Sequence, residues 1–390
     1  MNWILKKKDI LLIIMCLLII NIPFISQTAN NIYVLFIEAL ALFFLKNINK
    51  RIVEDNIYIV LFSLIIIFCT WINLGFSTRT VNAVVTGVRY FLLFYLCHFL
   101  CKRYSLQFII SKFRIFIYLM VCLADIAILI VLLTNGISEH GGAYNVYIIG
   151  NKFVVSYYHM FCLALYQMDI TKFNKYDKLK FICLALFSIG VCCIIECNTG
   201  VIGCLVVVLI RILSWGKKTL IEFLSKPVVF CAIFACLNFV LLGTNFLLKD
   251  NFITRLLMEY SHTSKILTGR LDMYMIALSE FKKFPLIGRG INCTIVEDVL
   301  SWGNAQNGFL KIMIDFGMLG VVSFFALCFN SLKIKTYTYR LQNNNIRFGI
   351  IAFLYGMMIC SLVEINISSL FIVAIALYSA AKKYYWNLGN

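Results

Sequence analysis

Apolar runs of about 15–22 residues recur along the whole chain and are separated by short polar connections. A helix of this length crosses about 30 Å of hydrocarbon, and the runs lack the period-two alternation of a β-barrel. The pattern predicts an all-α polytopic membrane protein with about twelve transmembrane helices. The predicted segments are 10–26, 31–45, 57–75, 80–100, 113–134, 153–169, 179–196, 199–213, 227–245, 308–331, 347–364 and 367–381.

Basic residues cluster in every second connection, and these clusters include most of the 35 lysines and arginines. The positive-inside rule then predicts that both termini are cytoplasmic and that residues 246–307 lie outside. The net charge of +17 is therefore mainly a topology signal, and nucleic acid is not an expected partner. The clusters begin at Lys6, Lys46, Lys102, Lys172, Arg211, Lys333 and Lys382.

Composition supports the same class, because 62% of the residues are hydrophobic and only 14% are charged. Nearly all of the sixteen cysteines fall inside apolar segments, where cysteine acts as a small hydrophobe. No cysteine or histidine spacing suits a metal, and no nucleotide-binding or redox motif is present. The sequence therefore predicts neither a metal nor a cofactor.

The chain is predicted to have three parts, namely about nine transmembrane helices in 1–245, an external subdomain in 246–307 and about three helices in 308–390. Within the external subdomain, Thr268 can cap a helix that begins near Arg270 and ends before Pro285. Its apolar positions have helical spacing, which predicts an amphipathic helix on the outer membrane surface.

Two arginines of the external subdomain, Arg270 and Arg289, are the first candidates for chemistry. A guanidinium is permanently charged, and its planar fork of donors suits phosphate oxygens. Beside a membrane, that chemistry points to a lipid pyrophosphate. Alternatively, these arginines contact lipid headgroups or pair with Asp272 and Glu280.

Further basic residues are predicted to bind substrate, and they are Arg79, Arg89, Lys152, His159 and Arg255. Arg89 lies in the middle of an apolar segment, where a charge is costly and faces either a wet cavity or an ion-pair partner. The candidate partners of Arg89 are Glu38, Asp125 and Glu196. Lipid-headgroup contact is the alternative for Arg79 and Lys152, and polar packing is the alternative for His159.

No general base can be identified from spacing alone. Several titratable residues are predicted to be external, but no pair among them has the arrangement of an acid and a base. They are Glu139, His140, Glu259, Asp272, Glu280, Glu297 and Asp298.

The order of motifs after residue 268 resembles that of the bacterial O-antigen ligase and polysaccharide polymerase family. A Gly-Arg pair opens an amphipathic helix, a Phe-x-x-x-Pro-Leu-x-Gly-x-Gly turn follows, and a short motif then leads into a helix with Gly-x-x-Gly. These motifs are Gly269-Arg270, then Phe281 to Gly290, then Gln306-Asn307 with Leu310, and Gly317 with Gly320.

The resemblance implies an enzyme that joins polyprenyl-pyrophosphate-linked oligosaccharides at the outer face of the bacterial cytoplasmic membrane. It adds Gln306 and Asn307 to Arg270 and Arg289 as catalytic candidates. Ligases of the family have His where this chain has Gln306, which favours a polymerase for O-antigen, capsule or exopolysaccharide. An O-antigen ligase and a polysaccharide flippase are the alternatives. The implied partners are the lipid-linked oligosaccharide, membrane lipid and other assembly proteins, such as a chain-length regulator or a flippase.

Overall fold

The regular structure of the protein is helical. A computed structural model describes residues 7–20, 26–45, 48–104, 106–134, 147, 149–166, 174–216, 218–247, 270–301, 304–333 and 344–384. In these ranges there are sixteen helices and one isolated β-bridge between Tyr147 and Gly150. The helices are α1 Lys7–Ile19, α2 Gln27–Leu45, α3 Lys50–Asp55, α4 Ile57–Leu74, α5 Thr78–Arg103, α6 Leu106–Thr134, α7 Lys152–Leu165, α8 Lys175–Ile194, α9 Asn198–Gly216, α10 Lys218–Leu224, α11 Pro227–Leu247, α12 Arg270–Lys283, α13 Ile295–Leu300, α14 Gly308–Leu332, α15 Asn344–Cys360 and α16 Ser369–Tyr384.

Every apolar segment predicted from the sequence overlaps a helix in the described residues, so the all-α class is confirmed. Among the described residues, six helices are long and apolar enough to cross a membrane, and they are α2, α4, α5, α6, α9 and α14. The prediction is wrong at the end of segment 347–364, because α15 ends at Cys360 and a turn follows it. Leu362 and Val363 continue the apolar run through this turn and conceal it in the sequence.

Helices from both sides of the 246–307 segment share one hydrophobic core. Helix α5 is largely buried between α4 and α16, while α9 packs on α15. Small residues allow this close packing: a Cβ atom built on Gly356 would lie only 3.2 Å from the carbonyl oxygen of Gly203. Helices α2, α4 and α6 are peripheral and expose many large apolar side chains.

Helix α12 confirms the predicted helix, since it begins at Arg270 and ends two residues before Pro285. Thr268, its predicted cap, lies outside the described residues. The buried side of α12, which includes Met273 and Tyr274, packs in a second small core against Leu310 of α14. The apolar side therefore contacts protein, whereas the sequence predicted contact with the membrane surface.

Candidate functional site

Helix α14 is sharply bent at Gly317, where the backbone leaves helical geometry with φ 61° and ψ −158°. The rings of Phe309 and Phe325, which lie on opposite sides of the bend, have centroids 6.1 Å apart. A straight helix would separate these residues by about 24 Å along its axis. The arm before the bend, residues 308–316, therefore folds back towards the arm after it.

The loop that follows α12 is fixed to this bend through backbone hydrogen bonds. The Arg289 and Gly290 amides donate to the carbonyls of Ile314 (2.8 Å) and Asp315 (2.7 Å). On the other side of the bend, the Met318 amide donates to the Pro285 carbonyl at 2.8 Å. We call residues 284–294, which form this connection, the arginine turn.

Glycine is required on both sides of this contact. Gly288 has φ +64°, and a Cβ atom built on it would lie 2.5 Å from the carbonyl carbon of Asp315. A Cβ atom on Gly317 would overlap the carbonyl group of Leu286. The two glycine-containing motifs, which are far apart in the sequence, thus permit one close backbone contact.

Asp315 fastens the rest of the arginine turn to α14. Its carboxylate is buried and accepts hydrogen bonds from the amides of Asn292 (3.3 Å) and Cys293 (3.2 Å). Lys311, one turn earlier, pairs with Asp315 at 2.9 Å and donates to the Cys293 carbonyl at 3.2 Å. This buried charge is therefore both paired and hydrogen-bonded, as burial of a charge requires.

The side chain of Arg289 is held by α12. Its guanidinium forms an ion pair with Glu280 and lies over the Phe284 ring, 3.9 Å from the centroid. Glu280 is 1% exposed whereas Arg289 is 40% exposed, so the anion is buried and the cation reaches solvent. The pairing that the sequence offered as the alternative for Arg289 is thus present, and it orients the guanidinium without covering it.

A second cation, Lys283, also contacts Glu280, at 2.9 Å. Burial alone would raise the pKa of Glu280, but the hydrogen bonds and charges of Lys283 and Arg289 outweigh it and hold that pKa below its ordinary value of 4.5. Glu280 is therefore ionised at neutral pH, which keeps Arg289 in place.

The turn also meets the helices α4 and α5. The Ile291 amide donates to the Thr70 hydroxyl of α4 at 3.0 Å. Arg79, at the start of α5, donates to the Thr294 hydroxyl at 3.0 Å, and Thr294 in turn donates to Asp298. Arg79 thus lies beside the arginine turn, and its contact there is to a hydroxyl group.

Gln306 and Asn307 lie at the opposite end of the 308–316 arm. Asn307 is fully buried and caps α14 by accepting the Leu310 amide at 2.8 Å. Its amide nitrogen donates to Asn238 of α11 (3.1 Å) and to the Leu362 carbonyl (3.0 Å). These contacts give the Asn307 side chain a structural role, because they connect α14 with α11 and with the turn after α15.

Gln306 has a left-handed backbone with φ +39°, which is uncommon for a residue other than glycine. Its amide donates to Asn304, and its carbonyl accepts a 3.5 Å hydrogen bond from the hydroxyl of Tyr274. That hydroxyl also contacts the Leu362 carbonyl at 3.2 Å. The α12 end that carries Tyr274 therefore lies beside Gln306 and the turn after α15.

This arrangement separates the two arginines first proposed for catalysis. Arg270 is the first residue of α12, one turn before Tyr274, whereas Arg289 binds Glu280 near the end of the same helix. Ten residues of helix correspond to about 15 Å. The backbone of Arg270 is thus at the Gln306 end of α12, and Arg289 is at the other end.

The remaining predicted residues lie away from the arginine turn. Arg89 interacts electrostatically with Glu38 of α2, one of its three candidate partners. His159 is buried, with its ring nitrogens 3.2 Å from Asp125 and 3.3 Å from Ser188. Lys152 donates to the Glu196 carbonyl at 3.2 Å. Arg255, Glu139, His140 and Glu259 lie outside the described residues.

Sequence reasoning missed Lys311, Asp315 and Glu364. The first two are charges four residues apart within an apolar segment, a spacing that predicts an intrahelical ion pair and would have singled them out. Glu364 was placed inside a predicted transmembrane segment, so it was not counted among the external carboxylates. In the described ranges, no group of three or more His, Cys, Asp and Glu side chains is arranged to hold a metal ion.

Comparison with known families gives a match over the part of the chain that holds the candidate site. A search of curated proteins finds no match to the chain. Residues 183–325, from α8 to the second arm of α14, match the family model described as O-antigen ligase. That range includes α12, the arginine turn, Gln306-Asn307 and the bend at Gly317. The predicted recognition is thus confirmed, and over the segment that holds the candidate site this chain is similar to the O-antigen ligase family.

Proposed function

We propose that this protein is a polysaccharide polymerase that joins polyprenyl-pyrophosphate-linked oligosaccharide repeat units. The family match supports a membrane enzyme of the O-antigen ligase and polymerase type. We place the protein in the bacterial inner membrane, which it would cross twelve times. Both termini would be cytoplasmic, and residues 246–307 would form an external subdomain. O-antigen, capsule and exopolysaccharide are all products of the required chemical class.

The observation that carries the proposal is the fixed and solvent-accessible guanidinium of Arg289. Its backbone is bound to α14 and its side chain to Glu280, so its position is set before substrate arrives. A preorganised cation binds a phosphate group without further reorganisation. Each of the lipid pyrophosphates in the reaction is an anion and needs such a group.

The separation of Arg270 from Arg289 favours polymerase over ligase. In polymerisation, both the growing chain and the incoming repeat unit carry a lipid pyrophosphate, and one repeat unit lies between the two pyrophosphates. Arg270 begins α12, and Arg289 binds Glu280, ten residues or about 15 Å further along that helix, so the two arginines suit two such groups. A ligase acceptor that is not lipid-pyrophosphate-linked requires only one. Gln306, in place of the ligase histidine, points the same way.

The chemistry needs no external energy source. An acceptor hydroxyl attacks the anomeric carbon of the donor, the bond from that carbon to phosphate breaks, and polyprenyl pyrophosphate leaves with the electron pair. The donor is already activated, which agrees with the lack of a nucleotide-binding motif in the sequence.

The test replaces each arginine in a strain that lacks the chromosomal gene and carries a plasmid copy. R270A and R289A are expected to abolish long-chain polysaccharide while membrane expression is unchanged, with a loss of activity of about 10²-fold or more. R289K is also expected to be defective, because lysine lacks the planar fork. Polysaccharide is separated by size on gels.

The matched control is K282A, which removes an exposed cation from the same helix and should leave chain length normal. Wild-type chain lengths in both arginine variants would refute the site. Single repeat units exposed outside the cell identify a polymerase defect. Repeat units trapped inside would indicate a flippase, and long but unattached glycan would indicate a ligase.

A further inference from the structure

The turn after α15 forms a second polar region, at the Gln306 end of the 308–316 arm. The Gly308 amide donates to the Ser361 carbonyl at 2.7 Å, and Asn307 and Tyr274 both donate to the Leu362 carbonyl. Glu364 closes this turn through a 3.0 Å hydrogen bond from its amide to the Cys360 carbonyl. The first three of these contacts place the turn that carries Glu364 beside Gln306 and Asn307.

Glu364 is half-buried and lies near a buried hydroxyl group. The turn reaches α7, because the Cys360 thiol lies 4.0 Å from the Met160 sulfur. In the same helix, Tyr157 is only 5% exposed, and the Glu364 carboxylate acts electrostatically on its hydroxyl. That hydroxyl has no hydrogen-bond partner within the described part of the chain. A buried hydroxyl without a partner costs about 1–3 kcal/mol, so a site that keeps one is suited to a ligand with hydroxyl groups.

Two further features support a substrate site here. Gln306 holds a left-handed backbone, and such strained conformations concentrate at functional sites. Arg270 begins α12 at this same end, one turn before Tyr274, so a donor pyrophosphate bound there would present its anomeric carbon to this region. The other titratable groups that interact with Tyr157 are the thiols of Cys197 and Cys360, and Lys152 lies near Cys197.

From this geometry we infer that Glu364 is the catalytic base that accepts the proton of the acceptor sugar hydroxyl, with the Tyr157 hydroxyl binding the same sugar. The inference rests on the proposed function. The acceptor oxygen forms a bond to the anomeric carbon and transfers its proton to the Glu364 carboxylate. The carbon–phosphate oxygen bond breaks, and the pyrophosphate keeps the electron pair. Glu364 then returns the proton to solvent, so the step balances without a redox partner.

The experiment uses the purified full-length protein and the lipid-linked repeat unit extracted from the deletion strain. E364Q removes the base but keeps the size of the side chain, and it is expected to lower kcat by about 10²-fold or more with little change in KM. The wild-type kcat/KM should fall at low pH as the base becomes protonated, and E364Q should lose this dependence. Y157F should mainly raise KM for the acceptor.

The matched control is E297Q, because Glu297 is an exposed carboxylate in α13 of the same loop region; it should behave like wild type. An E364Q rate within a few-fold of E297Q would overturn the assignment. If E364Q does not fold, E364D decides: a reduced rate with a shifted acid limb supports the base, and a wild-type profile overturns it. No transfer by wild type itself would instead refute the proposed function, and the base with it.

Discussion

Arg289 depends on Glu280 for its orientation, although the two residues belong to different elements. The carboxylate is almost fully buried, and it is ionised because two cations, Lys283 and Arg289, surround it. A buried anion of this kind costs free energy unless it is paired, so the contact fixes the position of the guanidinium. At the scale of single residues, the candidate site therefore requires the Arg289–Glu280 ion pair and not only the arginine.

Replacement of Glu280 tests this dependence. E280Q is expected to lower activity with Arg289 still present, since a neutral amide holds the guanidinium less firmly. It should also destabilise the protein by roughly 1–2 kcal/mol, because hydrogen bonds to charged groups are lost while both cations remain partly solvated. Transfer activity and thermal unfolding of the purified variant measure the two effects.

The same variant carries a pH prediction. The pKa of Glu280 is lower in the folded protein than its ordinary value of 4.5, so ionisation stabilises the fold above that value. The stabilisation is lost as the pH falls through the folded pKa. The difference in melting temperature between wild type and E280Q should be constant from about pH 8 to pH 5 and should shrink below about pH 4.5. A difference that grew on acidification would contradict the assigned pairing.

Residue chemistry could be predicted from the sequence where a residue was unusual for its surroundings. Arg289 stands out because two glycines flank it in a polar turn. Glu364 does not stand out, since it ends an apolar run, and the sequence marks Asp315 only as an ion-pair partner of Lys311. Their roles depend on backbone groups of residues 292–293 and 306–308, and no local pattern reveals those partners.

At the scale of elements, the bend in α14 joins the two glycine-containing motifs. Helix α12, the arginine turn and the 308–316 arm pack as one unit, with backbone hydrogen bonds on both sides of Gly317. The unit holds the Arg289 end and the Gln306 end of the arm at a set distance. If a repeat unit spans these ends, then the bend also sets the geometry of the reaction.

Substitution of Gly317 should therefore disrupt the unit rather than the bundle. G317A places a Cβ atom against the Leu286 carbonyl in a backbone region that only glycine adopts readily, at a cost of about 1–3 kcal/mol for the conformation alone. The expected result is loss of long-chain polysaccharide and faster proteolysis at residues 284–294, with membrane insertion retained.

The control for this substitution is G190A in α8. Gly190 is helical, and no atom lies within 4 Å of a Cβ atom built on it. Alanine there should be neutral or slightly stabilising. If G317A resisted proteolysis as well as G190A does, the bend would not be the fastening point of the arginine turn.

At the scale of the whole molecule, the length of a helix does not by itself decide whether that helix crosses the membrane. Helix α15 has 17 residues, which corresponds to about 25 Å and falls short of a 30 Å hydrocarbon layer. Its position in the core, next to α9 and α16, is compatible with crossing because the turn after Cys360 is partly buried against protein. Within the described part of the chain, helix length and composition alone therefore identify six of the proposed twelve spans.

Reporter fusions test the proposed topology. Alkaline phosphatase, which is active only outside the cytoplasm, should be active when fused after Ser301 or Ile365. It should be inactive after Gly216 or Lys333. Fusions to green fluorescent protein should give the reciprocal pattern. An inactive fusion after Ile365 would show that α15 does not cross, and an inactive fusion after Ser301 would place the arginine turn on the cytoplasmic side.

The sequence by itself determined the helical membrane class, the position of nearly every helix and the motif order that identifies the family segment. These properties follow from hydrophobic run length, from helix start and stop residues and from glycine spacing, all of which are local. Only the tertiary structure decided that Arg289 pairs with Glu280, that Asp315 fastens the arginine turn and that Glu364 lies beside Gln306. Those contacts depend on the bend in α14 and on hydrogen bonds to backbone groups. Because the apolar segments are similar in composition, no local sequence pattern specifies which helices will be neighbours.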